Sequence, residues 1–275
     1  DQRVITCPVE VPGGIYTALY DAKFITDPFY AQNERNTQWP SRVEWDFERT
    51  FDLSPAFVAK GAITLQLEDV DCFADVYLNG QKVGETGNRF QRYDFDVKPF
   101  LKAGKNEIRV RFHSTELISY AEAKKYNRDF RISNATVKKI NLVRTVQCHG
   151  GWDWGIDLMT AGFLGRVELI GTSCARIDYV WCDQKFKQDF SSCDVTVSAD
   201  VFSPKGGETE FAVTLGGRTA KRTVALKPGM NRLSAAVTVA RPRLWWPSGE
   251  GGQDLYPLEV KVGGNLDSEE CRIYI

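Results

Sequence analysis

The chain has 275 residues, of which 43% are hydrophobic and 26% charged, enough apolar material for buried cores and not the composition of a disordered segment. Its 35 basic and 36 acidic side chains give a formal net charge of -1 with no Lys- and Arg-rich cluster, which argues against a nucleic-acid partner. No apolar run approaches the roughly 20 residues of a membrane-crossing helix, so no membrane partner is expected either.

At about 100 to 200 residues per domain, the length favours two domains. The sequence opens at Asp1 with neither an initiator Met nor a signal-like segment, so a mature or trimmed form is expected, and the compartment stays open. Seven cysteines (Cys7, Cys72, Cys148, Cys174, Cys182, Cys193, Cys271) are odd in number and lack a CxxC pair. That spacing speaks against a zinc site and a disulfide framework, and most are expected to be buried free thiols. One sequon, Asn134-Ala135-Thr136, is present.

Along the chain, the acidic cluster Glu68-Asp69-Val70-Asp71 lacks the spacing of a calcium loop and reads as a solvated strand end. In Val76-Tyr77-Leu78-Asn79-Gly80-Gln81-Lys82-Val83, Asn-Gly separates two short apolar runs, which predicts a tight hairpin because a type I′ turn needs positive φ at both central positions. Ile108, Val110 and Phe112 alternate with polar neighbours, the pattern of a strand with one wet face. Residues 116–126 contain Leu117, Ile118, Ala121 and Ala123 without Gly or Pro, and predict one short helix. The apolar run 167–170 ends at Gly-Thr-Ser, placing a domain boundary within residues 171–175.

Beyond it the period of two returns at Val195, Val197, Ala199 and Val201; at Phe211, Val213 and Leu215; at Leu233, Ala235, Val237 and Val239; and at Leu258, Val260 and Val262. Short strands with Gly, Pro and Asn punctuation predict an all-β chain of antiparallel sandwiches, with helix scarce. Domains of residues 1–173 and 174–275 have sizes that suit a jelly roll and an immunoglobulin-like sandwich.

Neither His113 nor His149 sits in a nucleophile-elbow or metal-binding spacing, and no glycine-rich stretch has the context of a nucleotide fingerprint, so neither a catalytic group, a metal nor a cofactor is expected. The most unusual chemistry is Cys148-His149-Gly150-Gly151-Trp152-Asp153-Trp154-Gly155, two indoles around one carboxylate between glycines. Such a group suits a sugar, whose C–H face stacks on an indole while its hydroxyls donate to the carboxylate. Residue chemistry alone favours core packing over that reading, since Trp is highly buried on average and an Asp between two of them can cap a turn. A second aromatic group, Pro242-Arg243-Leu244-Trp245-Trp246-Pro247, reads as core or interface.

Taken together, Asp27-Pro28-Phe29-Tyr30, Trp45 with its acidic neighbours, Asp75-Val76-Tyr77-Leu78-Asn79-Gly80, residues 90–95 and 106–112, Gly151-Trp152-Asp153-Trp154-Gly155 and Leu244-Trp245-Trp246-Pro247 resemble the amino-terminal half of family 2 glycoside hydrolases. The Gly-Trp-Asp-Trp-Gly run resembles the β-mannosidase branch in particular. This resemblance implies a galactose-binding-like jelly roll, then an immunoglobulin-like sandwich, then a (β/α)8 barrel of about 250 further residues that carries the catalytic carboxylates and is absent from this chain. It also implies a retaining reaction, with two carboxyl groups roughly 5 to 5.5 Å apart in that barrel.

Trp152 and Asp153 would then help to bind the terminal β-mannoside of an oligosaccharide, Trp154 would be structural, and the chain by itself would be inactive. The implied partners are the substrate glycoside and the protein's own barrel. Two alternatives stay open: a stand-alone carbohydrate-binding or structural module, which would gain from an aromatic platform away from the Trp152 loop, and another family 2 specificity such as β-galactosidase or β-glucuronidase.

Overall fold

The computed structural model describes residues 4–126, 128, 135–263 and 267–275, and divides into two compact units. The first comprises Asp1–Ala59 with Ile63–Gly171, the second Lys60–Ala62 with Thr172–Ile275. Asn134 of the sequon lies outside the described residues.

The chain is all-β, and the strand pairs with a described register are antiparallel. In the first unit, Trp45–Leu53, Gly104–Phe112, Ala74–Leu78 and Gln81–Thr86 form a four-stranded sheet in that spatial order. Val167–Thr172, Ala62–Leu67 and Tyr93–Asp96 form a second, and Gly13–Gly14, Gly162–Phe163 and Val70–Asp71 a small third. Neighbours distant in sequence alternate in the sheets, as a jelly roll requires. Phe47, Phe112 and Phe163 meet edge to face at centroid distances of 5.0 to 5.7 Å in the core, beside Ile63, Leu65, Leu67, Val76 and Leu78.

The expected hairpin is present, with Asn79 at φ 49° and Gly80 at φ 81°. Asn79 does more than turn the chain. Its Nδ2 donates to the Phe100 carbonyl at 2.8 Å and to Asn106 Oδ1 at 2.9 Å, while its Oδ1 accepts from the Glu107 amide at 3.0 Å. Asn106, buried on the otherwise apolar face of its strand, is satisfied by donating to the carbonyls of Lys102 and Gly104. On the same sheet His113 bridges Glu44 at 2.8 Å and Asp75 at 3.0 Å. Burial disfavours its charged ring, but the hydrogen bonds to the two carboxylates prevail and raise its pKa above the ordinary histidine value.

The predicted helix forms as Thr115–Ala123, starting where the Ser114 hydroxyl accepts the Leu117 amide. Its inward face is polar: Thr115, Glu116 and Ser119 are buried while Leu117 is exposed, because Glu116 turns inward to Ser41 and Arg42. A second helix that the sequence pattern did not predict, Ile15–Asp21, buries Ile15, Tyr16, Ala18 and Leu19 against the first core.

In the second unit, a three-stranded sheet of Arg176–Phe186, Ser192–Ser203 and Gly229–Ala240 accompanies a four-stranded one of Arg218–Leu226, Gly207–Leu215, Leu255–Val262 and Asp267–Tyr274. Val195, Val197, Ala199, Val201, Phe211, Val213, Leu215, Leu258, Val260 and Val262 are buried, as the period of two requires. Among the described residues none of the seven cysteines is in a disulfide, but only Cys72 and Cys193 are buried; Cys148, Cys174 and Cys271 are exposed, correcting the expectation of mostly buried thiols.

Candidate functional site

Between the first unit's strands at Gly104–Phe112 and Gly162–Phe163 the chain makes a long excursion, and the Trp152 loop sits near its end. A small apolar cluster of its own, Ala135, Val137, Ile140, Val143 and Met159 with Phe73 and Ile118, underlies this excursion. Such satellite clusters fix segments that no sheet ladder reaches.

The stem of the loop is Gln147–Gly150, a single 3-10 turn. Gln147 Nε2 donates to the carbonyls of Ile140, Val143 and Thr145, and the Gly150 carbonyl accepts the amides of Thr136 at 2.7 Å and Val137 at 2.9 Å. Gly151 is buried at φ 101°, and a Cβ there would stand 2.8 Å from the Thr136 amide nitrogen, so only glycine fits without a shift. Sequence thus dictates local structure: the Gly-Gly pair lets the backbone pass tightly over Thr136 and turn the next side chains outward.

At the tip, a bridge between Trp152 and Gly155 closes the loop, and the two indoles meet edge to face at 6.4 Å. Trp152 is 46% exposed, Trp154 is 84% exposed, and the Asp153 side chain between them is exposed. The structure therefore presents Trp152 and Asp153, the two residues singled out in the sequence, side by side at a rigidly based tip. Trp154, expected to be structural, packs on the edge of Trp152 and on no core. Chemically, the tip offers an apolar face beside a hydrogen-bond acceptor. Trp245 and Trp246 of the second aromatic group are also partly exposed, Trp245 leaning on Tyr274 at 5.9 Å.

The acidic cluster before the hairpin is not a solvated strand end. Asp71 is 1% exposed and collects partners from two other segments of the chain. Its Oδ1 accepts the Thr145 hydroxyl at 2.5 Å, and its Oδ2 accepts Arg89 Nη1 at 3.2 Å and lies 3.3 Å from the buried Nδ1 of His149, which has no hydrogen-bond partner. Arg89 also grips Asp69 at 2.6 Å and donates its amide to the Arg144 carbonyl at 2.9 Å. Burial, with the Asp71 charge adding to it, pushes the neighbouring Cys72 thiol up to about 12, so it stays protonated. This network was missed in the sequence because Arg89, Thr145 and His149 lie 18 to 78 positions away from Asp71. No local signal marks it: in a strand the apolar neighbours Val70 and Cys72 would place Asp71 on the opposite, wet face.

The exit of the loop is tied as well. The Asp157 carbonyl accepts Gln38 Nε2 at 2.7 Å, and its amide donates to a Glu34 carboxylate oxygen at 3.5 Å. Asp157 Oδ1 is buried without a partner. Burial pushes this carboxyl above the usual carboxylate range; the Thr136 hydroxyl opposes that, and the negative charges of Glu34 and Glu116 add to it. Among the described residues no group of three or more His, Cys, Asp or Glu side chains is placed to hold a metal ion. On the flank of the stem, a cavity of about 390 Å³ is lined by Phe90, Asn141, Arg144 and Gln147, with the Arg144 guanidinium 5.8 Å from the Phe90 ring centre.

Comparison with known proteins bears on this arrangement. Residues 1–165 match the family model described as glycosyl hydrolase 2 galactose-binding domain-like, and residues 175–273 match the model of glycosyl hydrolases family 2. Beta-mannosidase B of Emericella nidulans is 31% identical over 266 residues, covering 94% of this chain and 30% of that protein. The beta-mannosidase of Capra hircus is 26% identical over 283 residues, covering 97% and 32%. A crystal structure of beta-D-mannosidase from Dictyoglomus thermophilum superposes with a TM-score of 0.90 at 30% identity, covering 97% of this chain and 33% of that one. An exo-chitosanase from Amycolatopsis orientalis, 22% identical with a TM-score of 0.69, shares the fold. The chain spans about a third of the length of the relatives it matches.

Proposed function

This chain belongs to glycosyl hydrolases family 2, as the amino-terminal domains of its β-mannosidase branch, and on that premise we propose that it serves a retaining β-mannosidase by scaffolding a separate catalytic barrel and lending Trp152 and Asp153 to the pocket for the terminal mannose. The division at residues 173 and 174 then separates a jelly roll that carries the loop from an immunoglobulin-like spacer. The catalytic acid/base and nucleophile belong to the barrel, and this chain alone does not cleave glycosides.

One observation carries the reading: an indole and a carboxylate stand exposed on a loop that is hydrogen-bonded on both its entry and exit sides and passes through the buried Gly150 and Gly151. A side chain held this way loses little freedom when a ligand docks, which is what makes a few polar contacts effective. Asp153 accepts hydrogen bonds from sugar hydroxyls, each charge-assisted and worth roughly 1.5 to 3 kcal/mol when retained in the transition state.

The test is kinetic. In the full-length protein that carries this chain, Asp153→Ala should lower kcat/KM for p-nitrophenyl β-mannoside by about 10- to 150-fold, the same energy range expressed as a rate ratio. Unchanged kcat/KM would remove Asp153 from the pocket. Titration of this chain with mannose and short β-mannosides should give neither binding heat nor turnover.

A second reading, an autonomous carbohydrate-binding module, draws on a separate feature of the second unit. Tyr179, 62% exposed, stacks on Trp181 at 6.0 Å with an interplanar angle of 24°, and the Arg232 guanidinium lies 4.8 Å from the Trp181 ring centre while paired with Asp200 at 3.0 Å. Binding of mannosides to this chain that is abolished by Tyr179→Ala would favour it over the first.

A further inference from the structure

Resting on the reading of Trp152 and Asp153 as sugar contacts, we infer that Asp71 is a positioning residue for that loop, setting through Thr145 and His149 the angle at which the tip leaves the jelly roll. The geometry is asymmetric in an informative way. One carboxylate oxygen takes the Thr145 hydroxyl two residues before the stem, and the other lies 3.3 Å from His149, within the stem and three residues before Trp152. Arg89 holds the same second oxygen and reaches sideways to Asp69, so the carboxylate can neither rotate nor withdraw.

Stability alone does not require this. A buried ion pair of this kind is commonly no better than well-packed apolar side chains of equal volume, because desolvation offsets the attraction. What a buried charge supplies instead is direction: its partners must approach along particular lines, and shifting the stem past Asp71 would strand the hydroxyl of Thr145, only 1% exposed, without its acceptor. The apolar cluster beneath the excursion fixes the height of the loop but is non-directional. Asp71 adds the directional constraint that the cluster lacks.

Asp71→Asn isolates this role. The variant keeps the shape and can keep an oxygen for Thr145, but it places an amide N–H2 where a carboxylate oxygen accepts from Arg89 and lies 3.3 Å from the His149 ring nitrogen. In the full-length protein, kcat/KM for p-nitrophenyl β-mannoside should fall about tenfold or more, since small misplacements of a contacting group carry large rate penalties. In a background carrying both Trp152→Ala and Asp153→Ala the same change should cost less than about twofold, because a residue that acts through the loop has nothing left to position. Equal losses in both backgrounds would overturn the proposal in favour of a purely structural role, and so would an unchanged rate in Asp71→Asn alone.

A second measurement separates this inference from the reading it rests on. With 5-fluorotryptophan incorporated into this chain, Asp71→Asn should shift the ¹⁹F resonances of Trp152 and Trp154 and leave those of Trp181, Trp245 and Trp246 in place. Unmoved Trp152 and Trp154 signals refute positioning by Asp71 whatever Asp153 does. A silent Asp153→Ala beside moved signals instead refutes the sugar contact and keeps the positioning. If Asp71→Asn does not fold, Thr145→Val removes one donor to the same carboxylate and carries the same tests.

Discussion

The two sandwiches bury their cores in the same way and differ in what interrupts their strands. Among the described residues, the buried polar groups of the second unit are uncharged hydroxyls, Thr172, Ser192, Ser198 and Ser203, whereas in the first they include Asp71, Glu116 and Asp157. Among the described residues every buried acid lies in the first unit, and all three sit on or against the excursion that carries the Trp152 loop. The difference teaches that a ladder of alternating apolar side chains is enough to build a sheet, while an irregular segment that must hold a shape needs directional, charge-assisted bonds at each end.

That contrast can be broken most forcefully in the regular unit. Phe211, fully buried in the second core, has nothing directional to compensate its loss, so Phe211→Ala should lower stability in urea by about 3 to 5 kcal/mol. The fluorine signals of Trp152 and Trp154 should stay where they are. A loss well under 2 kcal/mol would mean that the second core closes over the cavity far better than its register suggests.

Gly151→Ala sharpens the same comparison in the irregular unit. The substitution forces a side chain into a positive-φ position against the Thr136 amide and should cost about 1 to 3 kcal/mol, accompanied by a changed Trp152 environment. Stability equal to the parent, measured by the same denaturation, would show that the stem can yield and that its tight passage is not required.

The smallest effect is the most specific in pH. The folded pKa of Asp157 lies above its unfolded value of about 3.9, so its contribution to stability is fully present below that value and is lost as pH rises through the folded pKa. At pH 7 the buried charge is therefore a burden, and Asp157→Asn should stabilise the chain. The gain should shrink as pH falls toward 4, read as the difference in urea midpoints between the two proteins. A gain that persists unchanged at pH 4 would place its origin in packing and not in charge.

Much of the fold was legible in the sequence because strand physics is local. Ile108, Val110 and Phe112, or Val195 to Val201 in steps of two, declare a face without reference to anything else in the chain, and Asn79-Gly80 declares its turn. The helix at Ile15–Asp21 was not, because seven residues are too few for a helical period to rise above the background. Trp152 and Asp153 were singled out by an unusual composition. The exposure of Trp154 was not foreseen, since a tryptophan on an excursion has no period to say which way it faces. Asp71 was misread for the opposite reason: a carboxylate's burial is decided by partners as far off as Thr145 and His149, and no window of neighbouring residues contains them.

The Asn79 clasp carries a consequence for the order in which the molecule assembles. It ties residues 79, 100, 106 and 107 within a span of 29 positions, so the strands Ala74–Leu78, Gln81–Thr86 and Gly104–Phe112 can close against one another at modest loop-closure cost. Pairing Val167–Thr172 with Ala62–Leu67 must instead close a loop of about a hundred residues, the long excursion included. Amides of the first group should accordingly gain protection earlier in pulse-labelled refolding, and simultaneous protection would contradict it. The hairpin and its asparagines are then the nucleus, and the Trp152 loop is among the last parts of the jelly roll to settle.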